Sequence, residues 1–172
     1  MYLTKVFLTI PCDSCGNMSC SKSNHSECLR HINENYKFYL SFENSNCKEY
    51  ITEKFYQNAL GYNDLNHLIV PIVLGPNKED YRRLSPPNSF IHIDEFSSLK
   101  DLADYLHRLD EDDSLYGKYF QWKATGRFID TSFLCRLCAM LHWSHANGKQ
   151  KSYVSVRDWW TEGPSGGQAQ CA

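Results

Sequence analysis

Residues 36–62 read YKFYLSFENSNCKEYITEKFYQNALGY, and this stretch decides how the chain is organised. The aromatic-rich residues 36–42 predict a β-strand. The polar residues 43–50 predict a loop at the C-terminal end of that strand. Residues 51–60 predict a helix that Gly61 ends. The apolar residues that share one face of this helix are Phe55, Ala59 and Leu60.

Strand and helix patterns alternate along the rest of the chain. The apolar run HLIVPIVL at 67–74 predicts a strand buried on both faces, and residues 90–93 predict another. A helix over 99–109 begins after Ser97 or Ser98. Its apolar face comprises Leu99, Leu102, Ala103, Leu106 and Leu109. Other segments are interpreted as a strand at 1–10, a loop at 11–34, turns at 75–76 and 85–88, and helices at 115–123 and 131–142. This order predicts an α/β fold with a parallel sheet.

Charge and hydropathy exclude several classes of protein. The formal net charge is −2, from 18 basic and 20 acidic residues, and the longest basic run is Arg82-Arg83. An extended nucleic-acid or anionic-membrane surface is therefore not expected. No apolar run approaches the roughly 20 residues of a membrane-spanning helix. The first ten residues also lack the basic start and cleavage site of a signal peptide.

Cysteine content points to either disulfides or zinc. The eight cysteines are Cys12, Cys15, Cys20, Cys28, Cys47, Cys135, Cys138 and Cys171. Such density is typical of a disulfide-bonded protein in a secretory compartment, or of a metal site. Candidate glycosylation sequons at Asn17 and Asn24 lie in the same segment and favour the lumen.

The predicted strand–loop–helix offers two groups to a ligand. Ligands of parallel sheets bind at the C-terminal ends of strands, and free N–H groups at a helix start favour an anion. Lys54 adds a positive charge suited to a diphosphate, and the Glu53 carboxylate can accept two hydrogen bonds from the vicinal diol of a ribose. A nucleotide diphosphate sugar would satisfy both. The alternative is ordinary capping of the helix by polar residues.

The same stretch resembles the signature of the α1,3-fucosyltransferases, the tenth glycosyltransferase family. The specific pattern is F-E-N-S followed by Y-[IV]-T-E-K. The resemblance covers about residues 15 to 160 and continues through VPIVLGPNKEDY, PPNSFIHIDEFSSLKDLADYLHRLDEDDSLYGKYFQWK and CRLC. It implies a GT-B enzyme whose C-terminal, Rossmann-like domain binds GDP-fucose. We therefore expect a GDP-fucose-binding domain over 15–162, after a poorly matched segment at 1–14 and before a flexible tail at 163–172.

The resemblance also implies roles for individual residues. Glu53 would bind the ribose hydroxyls, and Lys54 and Tyr50 would face the diphosphate. Glu43 and Ser45 belong to the same motif and would shape the loop. The implied donor contacts are Asn44, Tyr50, Glu53 and Lys54.

The family's reaction needs parts that this sequence does not match. The family transfers fucose with inversion, and its general base is expected in an N-terminal, acceptor-binding domain. We therefore expect the chain to be the donor-binding half of a type II membrane protein of the Golgi lumen. The partners would be GDP-fucose and the N-acetylglucosamine of a glycoprotein glycan, on an invertebrate-like enzyme. No cofactor is required by the sequence, although some members of the family are stimulated by divalent metal.

For the cysteines, the resemblance implies disulfides from Cys135 and Cys138 to the N-terminal domain. A zinc site with His142 and His145 is the alternative. Sequence does not choose among pairings of the N-terminal cysteines; the candidates are Cys15, Cys20 and Cys28.

Other residues favour structural roles. His92 lies in a short apolar strand and favours a structural imidazole. Trp122 and the pair Trp159-Trp160 could stack on sugars, but such residues more often close a core. The acidic residues 110–113 are interpreted as solvated. Two other functions stay open: a non-catalytic module that binds GDP or GDP-fucose, and a Cys-rich luminal interaction domain.

Overall fold

A computed structural model describes residues 25–61, 66–129, 132–148, 152 and 154–158. The chain forms two compact units, one up to Arg127 and one from Phe128. The strands are β1 (Phe38–Phe42), β2 (Val70–Leu74) and β3 (Ile91–His92). The α-helices are α1 (His25–Asn35), α2 (Lys78–Leu84), α3 (Leu99–Glu111), α4 (Asp113–Gly117) and α5 (Phe133–Asn147). A π-helix spans Lys54–Ala59, and 3₁₀ segments span Ile93–Glu95 and Lys118–Ala124.

The described strands form one parallel sheet in the order β1-β2-β3. Phe38 pairs with Val70 and Ile72 pairs with Ile91, so β2 is the central strand. Its first four residues are buried, as the uninterrupted apolar run at 67–74 predicts for a strand covered on both faces. The predicted α/β fold with a parallel sheet is confirmed.

Helices cover both faces of the sheet in the first unit. On one face, α3 packs against β1, β2 and β3 in a core comprising Phe38, Val70, Ile72, Ile91, Leu102, Leu106 and Leu109. On the other face, α1 and the π-helix contribute to a second cluster comprising Ile32, Tyr39, Ala59 and Ile69. Each fully buried Val, Leu, Ile or Phe side chain in these two clusters stabilises the fold by about 1.5–3 kcal/mol. One predicted core residue is wrong: Leu99 is 75% exposed, because the helix turns its first residue to solvent.

The predicted loop at 11–34 is wrong over its last ten residues, where α1 forms. Ile32, which is 2% exposed, packs with Leu29 and Cys28 in the second cluster. These three residues recur at helical spacing, so one stripe of α1 is apolar. The many Ser and Asn residues before this stripe masked it in the sequence. The part of the predicted loop before residue 25 lies outside the described residues, as does the predicted strand at 1–10.

The connection between β2 and β3 contains α2 where the sequence predicted only turns. Parallel neighbours need a crossover, so turns alone could not have joined these strands. Asn77 caps α2, because its side chain accepts a hydrogen bond of 3.0 Å from the Asp80 N–H. The fully buried ring of Tyr81 anchors the helix, with ring centroids 5.4 Å from Phe55 and 5.6 Å from His92.

The helix predicted over 51–60 is shorter and wider than expected. It forms a π-helix at Lys54–Ala59, in which the Leu60 N–H donates to the Phe55 carbonyl five residues earlier at 2.9 Å. Phe55 and Ala59 are fully buried and Leu60 is 3% exposed, so the predicted apolar face is confirmed. Gly61 ends the helix with a φ of +68°, a conformation that favours glycine.

The acidic residues 110–113 lie where α3 ends and α4 begins, and Asp112 between the two helices has an extended backbone. α3 continues through Asp110, and Asp112 caps α4 by accepting a hydrogen bond of 2.9 Å from the Leu115 N–H. Asp110 is not simply solvated, because it pairs with Lys37 at 3.1 Å. The predicted helix at 115–123 is divided between α4 and a 3₁₀ segment.

In the second unit, the helix predicted over 131–142 forms as α5, which extends to Asn147. The predicted tail at 163–172 and the Trp159-Trp160 pair lie outside the described residues.

Candidate functional site

The polar loop, residues 43–53, leaves the C-terminal end of β1 beside the end of β2. The Glu43 N–H donates to the Leu74 carbonyl at 2.8 Å, so the loop stays attached to β2 for one residue beyond the strand. Gly75 follows Leu74 with a φ of +152°. A Cβ atom at Gly75 would lie 2.8 Å from the Glu43 Cβ, so the loop and β2 approach closely here. This is the edge of a parallel sheet where ligands bind.

Glu43 turns inward and braces the loop. Its side chain is fully buried, with 0% exposure. One carboxylate oxygen accepts from the Thr52 N–H at 2.8 Å, and the other accepts from the Thr52 hydroxyl at 2.8 Å. The Lys54 ammonium lies 3.5 Å from the second oxygen. Both carboxylate oxygens are therefore engaged within the loop, and Glu43 closes the loop from inside.

Lys54 keeps a positive charge at the start of the π-helix. Its Nζ donates to the Thr52 hydroxyl at 3.2 Å and lies 3.5 Å from both Glu43 and Glu53 carboxylate oxygens. Burial opposes the charge, but the two carboxylates outweigh it and raise the pKa of Lys54 above its ordinary value. The side chain is 22% exposed, so a charged ammonium is held in place and still reaches solvent.

Glu53 is the exposed carboxylate of the site, with 56% of its side chain accessible. Partial burial opposes ionisation, but a backbone hydrogen bond and the Lys54 charge outweigh it and lower the pKa of Glu53. At neutral pH the site therefore presents a carboxylate beside an ammonium. That pair can bind a diol and an anion on one ligand.

The other predicted site residues occupy the outer part of the loop. Asn44 and Ser45 are exposed, and Tyr50 is half-buried. The Tyr50 N–H donates to the Cys47 carbonyl at 3.1 Å, which closes a turn ahead of the π-helix. Cys47 is buried and disulfide-bonded. The structure thus brings Glu43, Glu53 and Lys54 into direct contact, whereas Asn44 and Ser45 face solvent.

Sequence reasoning missed three residues that hold the loop. Thr52 supplies both hydrogen bonds to Glu43, and a threonine before a helix is a signal that could have identified it. Asp80 and Arg83, on α2, contact Glu49 from more than 30 residues away in sequence. No local pattern indicates that pairing.

Two residues considered for chemistry have structural positions. His92 is 1% exposed, and its Nδ1 accepts from the Asp94 N–H at 3.2 Å. Its Nε2 therefore carries the proton and donates to the Pro76 carbonyl at 3.1 Å. Trp122 is 8% exposed, so its ring belongs to the interior and is not a platform for a sugar.

The described cysteines differ in oxidation state. Cys28, one of the predicted disulfide candidates, is disulfide-bonded, and so is Cys47, which was not among them. Cys135 and Cys138 are free thiols. Over the described ranges, no group of three or more His, Cys, Asp or Glu side chains is placed to hold a metal ion. Cys15, Cys20, Asn17, Asn24 and the side chain of His145 lie outside the described residues.

A pocket of about 340 Å³ lies away from the polar loop, beside β3. Its lining includes Arg82, Glu95, Tyr105 and Tyr119. Arg82 is already paired with Glu79 at 2.7 Å, and the two tyrosine hydroxyls bond each other at 2.8 Å. Because the lining of this pocket contains none of the predicted donor-binding residues, the polar loop stays the candidate ligand site.

No helix within the described part of the chain is long and apolar enough to cross a membrane.

Comparison with known proteins gives one family. Residues 1–159 match the family model described as glycosyltransferase family 10 (fucosyltransferase), C-terminal part. The chain is 52% identical over 147 residues to glycoprotein 3-alpha-L-fucosyltransferase A of Drosophila melanogaster, covering 86% of this chain and 28% of that protein. It is 42% identical over 126 residues to human 3-galactosyl-N-acetylglucosaminide 4-alpha-L-fucosyltransferase FUT3, covering 73% and 34% respectively. It is 35% identical over 147 residues to Drosophila alpha-(1,3)-fucosyltransferase C, covering 86% and 32%.

The chain thus spans about a third or less of the length of these relatives. The match covers nearly the whole of the chain, including both the sheet and the polar loop. The chain therefore belongs to glycosyltransferase family 10, the fucosyltransferases, and corresponds to the C-terminal part of the family.

Proposed function

We propose that this chain is the donor-binding part of an α1,3-fucosyltransferase that takes fucose from GDP-fucose. The observation that carries the proposal is the contact between exposed Glu53 and charged Lys54 at the C-terminal edge of the sheet. A carboxylate suits the ribose diol of GDP, and an ammonium suits its diphosphate. Membership of the fucosyltransferase family supports the same assignment.

The chemistry of transfer explains why a fixed cation belongs here. As the bond between fucose and the diphosphate breaks, negative charge grows on the departing GDP. An ammonium that is already oriented stabilises this charge more in the transition state than in the ground state. Lys54 meets that condition, because Glu43 and Thr52 hold its Nζ from the protein side. Tyr50 and Asn44 complete the donor contacts in this proposal.

We assign binding and activation of the acceptor sugar to a part of the protein outside this chain. Inverting transfer needs a carboxylate base for the acceptor hydroxyl. We assign this base to an N-terminal, acceptor-binding domain, since the relatives are about three times as long as the part that this chain matches. The acceptor is then position 3 of an N-acetylglucosamine on a glycoprotein glycan. The Drosophila relative at 52% identity, a glycoprotein 3-alpha-L-fucosyltransferase, supports the glycoprotein acceptor and the linkage to position 3.

The cysteines support a proposal for the cellular setting. Disulfide-bonded Cys28 and Cys47 need an oxidising compartment, and the two sequons are used only in the secretory pathway. We propose the Golgi lumen, with attachment to the membrane through a segment N-terminal to the matched region. If a divalent metal stimulates the transfer, we propose that it acts on the diphosphate of the bound donor.

A titration of the chain with GDP tests donor binding. We expect Lys54→Ala to weaken GDP binding by about 1.5–3 kcal/mol, the loss of a charge-assisted contact, which is roughly 10–150-fold in Kd. Lys100→Ala is the matched control, because Lys100 is an exposed lysine paired only with carboxylates of its own helix. Equal affinity of Lys54→Ala and wild type would contradict the proposed diphosphate contact.

The ribose contact has its own test. Glu53→Gln should weaken GDP binding, and the loss should disappear with 2′,3′-dideoxy-GDP, which lacks the diol. If Glu53→Gln weakens the binding of both nucleotides equally, Glu53 does not bind the ribose.

The same titrations decide between the alternative functions. Absence of GDP binding by the folded wild-type chain would favour a luminal interaction domain. Binding of GDP-fucose without transfer, even after addition of the acceptor domain, would favour a non-catalytic binding module.

A further inference from the structure

We propose that Asp80 is a positioning residue that holds the polar loop in its binding conformation from the neighbouring helix α2. This inference rests on the proposed donor site and adds a residue that lies outside the family signature in the loop. Asp80 lies 26 residues after that signature ends at Lys54, and at 5% exposure it is not a surface group placed to meet a bound nucleotide.

The loop contains a residue whose backbone needs such support. Glu49 has a φ of +61°, in the left-handed region that non-glycine residues seldom adopt. A non-glycine residue keeps this strained backbone conformation only when surrounding contacts hold it there. Glu49 directly precedes Tyr50, so its conformation decides the direction in which the chain enters the donor-binding residues.

Asp80 supplies the contact that holds Glu49. The Glu49 N–H donates to the Asp80 Oδ2 at 3.1 Å. Asp80 is itself fixed, because the Asn77 amide donates to the same oxygen at 3.3 Å and Arg83 lies 3.4 Å from the other. Arg83 also pairs with the Glu49 carboxylate. Both the backbone and the side chain of Glu49 are thereby attached to α2.

The attachment continues into the site. The Tyr50 N–H donates to the Cys47 carbonyl at 3.1 Å, and the Ile51 N–H donates to the Glu49 carbonyl at 2.9 Å. Tyr50 therefore belongs to two overlapping hydrogen-bonded turns, one of which begins at Glu49, the residue that Asp80 holds. Without Asp80 the loop would exchange among conformations, and apparent affinity falls with the fraction that is competent to bind.

Hydrogen exchange followed by mass spectrometry tests the positioning role directly. The variants are Asp80→Ala, Asp80→Asn and, as the matched control, Glu79→Ala. Glu79 lies next to Asp80 in the first turn of α2 but pairs only with Arg82. We expect Asp80→Ala to raise exchange in a peptide covering residues 47–54 by at least about tenfold, with a β2 peptide over 70–74 unchanged. Glu79→Ala should change neither peptide.

GDP titration is the second readout. Asp80→Ala should weaken GDP binding by about tenfold, since fewer molecules hold a competent loop. Asp80→Asn keeps an oxygen that can accept from the Glu49 N–H, and we expect it to restore affinity to within about threefold of wild type. This rescue is not expected if Asp80 acts only through its charge on the stability of α2.

The outcomes separate this inference from the proposed function. Unchanged exchange at 47–54 in Asp80→Ala overturns the positioning role, whatever the affinity for GDP. Faster exchange in the loop and in β2 together also overturns it, because Asp80 would then support the fold as a whole. If wild type binds no GDP, the proposed function fails and the exchange experiment still decides whether Asp80 orders the loop. Should Asp80→Ala not fold, a comparison of Asp80→Asn with Asp80→Leu in the same two assays gives the decision.

Discussion

Replacement of Glu43 by glutamine tests whether this residue braces the loop or binds the donor. Glu43 accepts two hydrogen bonds of 2.8 Å from Thr52 and lies 3.5 Å from Lys54, with its side chain fully buried. A hydrogen bond to a charged group contributes about 1.5–3 kcal/mol. Glu43→Gln keeps one acceptor oxygen and loses one of the two hydrogen bonds from Thr52. Its new NH₂ group would lie against a group that is itself a hydrogen-bond donor, on Thr52 or Lys54. We expect a loss of about 2–3 kcal/mol in the free energy of unfolding. Removal of one partner from a fully buried ion pair destabilises a protein by about 3–5 kcal/mol. The loss expected here is smaller, because the Lys54 side chain reaches solvent and its charge stays hydrated.

The assay is thermal unfolding, with GDP titration of the same samples. For a chain of this size, a loss of that order lowers Tm by roughly 5–10 °C. Glu53→Gln is the control, because Glu53 shares the partner Lys54 but is more than half exposed. An exposed substitution of this kind changes stability by no more than about 0.5 kcal/mol. Combining Glu43→Gln with Thr52→Ala should give a coupling of about 0.5–3 kcal/mol, as expected for residues in direct contact.

Two results would refute the reasoning. If Glu43→Gln weakens GDP binding and leaves Tm within about 1 °C of wild type, the carboxylate contacts the donor and does not brace the loop. A Tm for Glu53→Gln as low as that of Glu43→Gln would refute it as well, since exposure would then not separate the two carboxylates.

Other substitutions give further expected outcomes. Gly75→Ala should destabilise the chain by at least about 1 kcal/mol and weaken GDP binding, because its Cβ would lie 2.8 Å from that of Glu43; wild-type affinity would contradict the close approach of loop and sheet. Tyr116→Phe removes a hydroxyl that lies 2.7 Å from the Lys37 carbonyl, and chemical denaturation should show a loss of about 1–2 kcal/mol with unchanged GDP affinity. Leu106→Ala should cost about 2–5 kcal/mol in the same measurement, as expected for a fully buried leucine; a cost under about 1 kcal/mol would contradict the α3 core.

The sheet could be predicted because its signals are local. The run at 67–74 is apolar without interruption, and that pattern alone predicts a strand with helices on both sides. Likewise Ser98 precedes a stripe of leucines, and α3 begins there with Ser98 accepting from the Asp101 N–H at 3.1 Å. In both cases the property that decides the structure lies within a few residues of the element it decides.

The missed elements depend on partners distant in sequence. α2 has only seven residues and one fully buried anchor, Tyr81. The ring of Tyr81 contacts Phe55, Phe90 and His92, all of which lie outside α2. The sequence of α2 has no stripe of apolar residues at helical spacing like the leucines of α3, so it predicts a helix less strongly. The π-helix depends on a choice between carbonyl partners four and five residues away, which side-chain pattern does not reveal.

The site divides in the same way. Charge and position in the sequence predicted that Glu53 and Lys54 could serve one nucleotide ligand, with ordinary helix capping as the alternative, and the structure places the two charges 3.5 Å apart. The inward turn of Glu43 and the contact from Asp80 arise from the packing of the loop against β2 and α2. Sequence therefore named Glu53 and Lys54 as proposed ligand contacts, but it did not indicate the residues that hold the loop around them.

The disulfide at Cys47 has a consequence for how the protein is made. This half-cystine lies in the polar loop between Glu43 and Tyr50, so the final shape of the loop depends on a covalent bond formed after synthesis. A host cell whose cytoplasm keeps thiols reduced would yield chains that lack this bond. Secretion through an oxidising compartment is thus a condition for recovering a well-formed loop, and the ratio of oxidised to reduced Cys47 in a preparation becomes a direct measure of how many molecules have matured.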